Sequence, residues 1–113
     1  MTRFLATITL QEGTNEAAIH DEAYDELDRA IINEDGYPYI TAANEKIYAL
    51  PLDMYEFETD LTAKQLVNVI TLACAGIEKK HQLKKTLIVV SEVGEIEFAH
   101  LEELQEDDFQ PLN

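Results

Sequence analysis

Three histidines, a single cysteine and a large excess of carboxylates are the side chains from which this 113-residue chain could build a reactive site. His20 falls on an apolar stripe with Tyr24, Leu27 and Ile31, where a histidine serves either as a packed core residue or as a general base. His81 stands among Lys79, Lys80, Lys84 and Lys85. That setting suits acid–base work on RNA, and it is also what any lysine-rich loop would give. His100 lies near Glu97, Glu102 and Glu103. Cys74 sits between Ala73 and Ala75 and reads as a buried, inert thiol. One cysteine allows no intrachain disulfide and no cysteine-based zinc site. The chain contains no HExxH, no GxSxG and no phosphate-binding lysine loop. Carboxylates are so numerous that acid pairs arise by chance, and a metal site made of them alone has no diagnostic spacing. The reading leans away from an enzyme and assigns no cofactor and no metal. Were the chain a nuclease, Arg29 and His81 would be its working groups.

The charge distribution is more informative. Lys and Arg number 8 against 23 Asp and Glu, a net of −15. From Glu12 to Asp35 nine acids face one arginine, and from Glu92 to Asp108 eight acids face no base. Half of the basic side chains lie between residues 79 and 85. Such a surface repels nucleic acid and anionic membrane at long range and favours a basic partner. Three readings stand: two solvated faces, self-association of the lysine patch with an acidic block, or a surface that grips a basic protein partner by imitating nucleic acid. On the third, Asp21, Glu22, Asp25, Glu26 and Asp28 form one binding row, and Glu102, Glu103, Glu106, Asp107 and Asp108 the other.

The elements that must position these groups follow from periodicity. Alternation predicts a strand over residues 3–10, with Phe4, Ala6, Ile8 and Leu10 on one face. A helix is expected from about Glu16 to Asn33, ended by Asp35-Gly36. Strands follow over 37–42 and 46–50, with 54–58 extending the latter after a bulge. Thr62-Ala63-Lys64-Gln65 is a capping box that opens a second helix to about Ile77, and the lysine patch follows at the helix end or in a loop. Residues 86–93 read as a strong strand, 95–100 as a further one, and 101–113 as an acidic C-terminal helix or tail. The order β-α-β-β-α-β predicts a single ferredoxin-like α+β domain over residues 1–100, with an antiparallel sheet and both helices on one face. Tyr39, Tyr48, Tyr55 and Phe57 either complete the core or form a homodimer interface. No secretory signal or membrane span is evident in the sequence, so a cytoplasmic protein is expected.

Several pieces together resemble a small bacterial family that includes the GhoS-type endoribonuclease antitoxins of type V toxin–antitoxin systems. They are the strand from Arg3-Phe4 to Leu10, Tyr24-Asp25-Glu26-Leu27, Ile47-Tyr48-Ala49-Leu50-Pro51, and Met54-Tyr55-Glu56-Phe57 ahead of Leu61-Thr62. The resemblance spans roughly residues 3 to 92. It implies a Cas2-like ferredoxin fold, a possible dimer and, in the antitoxins, cleavage of a toxin messenger RNA. The chain departs from that pattern where Leu10-Gln11-Glu12 stands in place of a sheet-end aspartate, and where Arg29 is the lone base on an acidic helix. The fold therefore carries over better than the activity. Three functions follow for test: a non-catalytic regulator, antitoxin or phage-type inhibitor of a basic protein; a Cas2-like endoribonuclease; or a structural homodimer subunit.

Overall fold

The structure is a computed structural model that describes residues 1–13 and 21–105. The first strand, β1 (Thr2–Thr9), turns Phe4, Ala6 and Ile8 inward, and each is at most 3% exposed. Alternation does this: period-2 side chains put every second residue on one face. Helix α1 (Asp21–Ile32) follows and buries Ala23, Leu27 and Ile31. The part of the expected helix that precedes Asp21, including His20, lies outside the described residues.

The middle of the chain differs from the sequence expectation. The segment predicted as one strand over 37–42 divides at Pro38 into β2 (Gly36–Tyr37) and β3 (Tyr39–Thr41). Proline has no N–H to give to a ladder, so the chain changes partner there. β3 pairs with β4 (Ile47–Ala49) in a separate two-stranded sheet. The segment expected to extend that strand is instead β5 (Met54–Thr59), a central strand of the main sheet. Its inward residues are the reason: Tyr55 pairs across from the small Ala6 and Phe57 across from Phe4, so aromatic side chains fill this layer of the core.

Helix α2 (Ala63–His81) opens on the predicted capping box. Thr62 Oγ1 accepts from Gln65 N–H at 3.1 Å, and Gln65 Oε1 accepts from Thr62 N–H at 2.9 Å. The helix continues past Ile77, so Lys79 and Lys80 occupy its last turn, where cations suit the macrodipole. Gln82 caps it in a left-handed conformation, φ 55°. The last strand among the described residues is β6 (Leu87–Glu92).

The main sheet has the order β2-β5-β1-β6, with every neighbour antiparallel. Both helices contribute to one cluster with the inward strand residues, so they cover the same face. This is the ferredoxin-like plan, with the β3–β4 hairpin inserted between its second and third strands. Gly36 lies where the end of α1 closes on the sheet. A Cβ there would lie 2.3 Å from Phe57 Cζ and 2.6 Å from Ile31 Cγ2, so only glycine fits.

No strand forms over residues 95–100; the chain there leaves β6 and runs past Arg3 and Glu58 towards the hairpin. It pairs only later, where Ala49 N–H donates to Glu102 O and Leu104 N–H to Ile47 O, both at 2.8 Å. Residues 101–105 are therefore not helical but add a short bridge to β4. None of the helices among the described residues is long and apolar enough to cross a membrane.

Candidate functional site: an acidic face on the first helix

The acidic residues of α1 separate by helical spacing into two flanks with different fates. Glu22 and Glu26, four residues apart, face α2. Glu26 Oε2 lies 2.9 Å from His81 Nε2, Glu26 Oε1 accepts from Lys80 Nζ, and Lys80 lies 3.6 Å from Glu22. Lys80, followed by His81, draws the Glu26 carboxyl below its ordinary range, and Glu26 in turn raises Lys80. These acids and bases tie the two helices together. His81 is thus engaged with Glu26, while Arg29 is exposed and has no acidic partner within 4 Å among the described residues.

The other flank carries Asp21, Asp25 and Asp28, at i, i+4 and i+7. With Tyr24, Tyr55, Leu52 and Asp53 they line an open cleft of about 590 Å³. Asp53 sits in the turn before β5 with φ 72°, a left-handed conformation that aspartate tolerates better than most residues. Its carbonyl accepts from Ile8 N–H at 2.7 Å, and its carboxylate lies 3.5 Å from Thr9 Oγ1, which fixes the turn against β1. Tyr55 O–H donates to Asp28 Oδ1. Burial, then the bond to Asp28, pushes the Tyr55 phenol far above its usual range; burial and the nearby Asp53 raise Tyr24. Both phenols stay protonated at neutral pH, so they donate hydrogen bonds and do not act as bases. Among the described residues none of the four aspartates has a Lys or Arg within 4 Å, and no three His, Cys, Asp or Glu side chains converge as metal ligands. The arrangement can receive a cation with an apolar stem: carboxylates at the head, and Tyr24 and the 93%-exposed Leu52 alongside.

The remaining sequence candidates fall elsewhere. Glu103 pairs with Lys46 at 3.6 Å, and Glu102 lends its carbonyl to β4, so this end of the acidic tail is spent on holding the hairpin. Glu106, Asp107 and Asp108 lie outside the described residues. Tyr55 and Phe57 are not interface residues. They are 3% and 0% exposed in the chain's own core, because the inward face of a central strand must be filled. Tyr39 packs on Tyr37 at 5.4 Å between ring centroids, and Tyr48 on Phe98 at 4.9 Å. Cys74 is buried, which raises its thiol, and it has no reactive setting. Sequence reasoning missed Asp53, Tyr24 and Leu52 as parts of the cleft. Asp53 after Pro51-Leu52 carried a turn signal, but nothing in the sequence joined that turn to α1. A scan against family models, a search of curated proteins and a search of solved structures each find no significant match to this chain.

Proposed function

We propose that this protein is a non-catalytic interaction module that captures a cationic segment of a partner protein on the Asp21–Asp25–Asp28 flank of α1 and on Asp53. One observation carries the reading: the acids facing α2 are matched by Lys80 and His81, whereas those around the cleft have no cationic partner among the described residues. Charge left unmatched on a folded surface is available to steer and orient a partner of opposite sign. The rise of the helix separates the three aspartates by about 6 and 4.5 Å along its axis, a charge density approaching that of a nucleic-acid strand. A protein surface shaped to bind polynucleotide would accept such a row. The raised Tyr24 and Tyr55 phenols add donors and apolar body without base character.

The test uses defined probes and the full chain. An arginine- and lysine-rich peptide, its glutamate counterpart and a single-stranded RNA are titrated by calorimetry. The basic peptide alone binds, and Asp21→Asn, Asp25→Asn and Asp53→Asn together weaken it by about tenfold or more. Equal affinity of the triple variant, or tighter binding of the RNA, overturns the reading.

A further inference from the structure

The chain's charge is not spread evenly. Between Leu61 and Ser91 five lysines face one glutamate, so this portion is positive in a protein of net −15. Beyond Leu61 at its start, three large apolar side chains stand in the open there: Leu72 at 78%, Leu87 at 55% and Val89 at 61% exposed. Two of them, Leu87 and Val89, belong to β6, an outer strand of the main sheet. They pair across from Thr9 and Thr7, on the face that the helices leave uncovered. Among the described residues no strand pairs with the outer edge of β6.

That edge is long and carries no proline or charge until Glu92, whereas natural edges are commonly blunted by such devices. Its backbone direction is fixed by the bond from Val93 N–H to Arg3 O at 3.0 Å. Odd-numbered residues of β6 therefore turn their backbone groups to β1, and Ile88, Val90 and Glu92 turn theirs outward. A second copy is the occupant that fits. In an antiparallel pair about a twofold axis, opposed residues must share a face of the sheet, so Ile88 against itself is an allowed centre. In that register Leu87 lies opposite the partner's Val89 twice, and Lys84, in the segment that leads into β6, comes level with the partner's Glu92 twice. Each exposed apolar residue of the edge then meets the other, and a lysine ahead of the strand meets the acid at the partner strand's end.

The neighbouring helix allows the approach. Glu78 accepts from Thr86 N–H at 2.8 Å and Oγ1 at 2.7 Å, which places that flank of α2 beside β6. Ala75 and Thr71 continue the same flank one and two turns earlier, small and uncharged. Two highly acidic copies can approach only where acids are scarce, and this side of the molecule meets that condition.

We infer that two copies of this chain pair through β6, antiparallel about Ile88, to form one continuous eight-stranded sheet. The acidic flank of α1 takes no part, so loss of dimerisation and loss of basic-peptide binding are separable results.

Light scattering and sedimentation of the full chain over a concentration series test the assignment. The wild type is a dimer. Leu87→Lys or Val89→Glu alone raises the dissociation constant by about tenfold or more, because each places a charge opposite an apolar side chain twice. Combining the two sets lysine opposite glutamate and restores the dimer. Lys84→Glu likewise weakens it, and adding Glu92→Lys restores it. All of these side chains are exposed, and circular dichroism confirms that each variant is folded. A wild type that stays monomeric at millimolar concentration overturns the inference. So does a dimer indifferent to the single substitutions, or one that the paired substitutions fail to restore.

Discussion

Replacing Tyr55 by phenylalanine removes one oxygen from the floor of the acidic cleft and leaves the ring in the core. The hydroxyl donates to Asp28 Oδ1, and the ring is 3% exposed between the sheet and α1. A hydrogen bond to an ionised acceptor contributes about 1.5–3 kcal/mol where it is shielded. Asp28 borders an open cleft and water replaces part of what is lost, so the lower end applies, about 1.5 kcal/mol. With a urea m value of roughly 1.5 kcal/mol/M for a domain of this size, the unfolding midpoint falls by about 1 M with m unchanged. Asp28→Asn weakens the same bond. In the double variant the two losses do not add, and the cycle returns a coupling near 1 kcal/mol. Urea titrations followed by circular dichroism and tyrosine fluorescence give all four corners. A Tyr55→Phe midpoint equal to wild type, or a coupling under about 0.3 kcal/mol, would refute the placement of Tyr55 against α1.

Other expectations follow from the same packing and charges. Gly36→Ala should destabilise the fold by about 2–3 kcal/mol, read as a drop in melting temperature, since a Cβ there meets the fully buried Phe57 and Ile31 side chains. The lowered Glu26 carboxyl stabilises the fold above the unfolded glutamate pKa, and that contribution is lost as pH falls through the lower folded value. The wild type's advantage over Glu26→Gln should therefore be present at pH 7 and vanish in acid, as measured by urea midpoints across pH. Glu56 is displaced the other way, its carboxyl raised by burial despite Arg3 at 3.5 Å. Its ionisation opposes folding above that raised value, so Glu56→Gln should cost no stability at pH 7 in the same titration. Raising NaCl from about 0.05 to 0.5 M should weaken binding of the basic peptide at least tenfold by calorimetry.

The legible parts of the fold were those with a strong period or an unambiguous cap. Phe4, Ala6 and Ile8 alternate cleanly, Leu27 and Ile31 keep helical spacing, and Thr62 with Gln65 forms the box that starts α2. What periodicity could not show was partner choice. The stretches 39–41, 47–49 and 54–59 all read as strands, yet only the last enters the main sheet. The decision rests on Phe57 and Tyr55 matching Phe4 and Ala6 across the ladder, a fact of register rather than of local propensity. The candidate site shows the same division. Its helix acids were evident as a charge block, but the split between a matched and an unmatched flank depends on Lys80 and His81 arriving from α2, more than fifty residues away. Asp53 joins the cleft only because β5 is central and its preceding turn lies against β1.

The central claim is that the unmatched aspartates of α1 and the turn before β5 receive a cationic segment. The most direct measurement is a nuclear magnetic resonance titration of the isotopically labelled chain with the basic peptide, followed amide by amide. Shifts confined to residues 21–28 and 52–55, with α2 and β6 unmoved, are the predicted result. Shifts centred on the lysine-rich end of α2, or scattered over every acidic stretch of the chain, would contradict it.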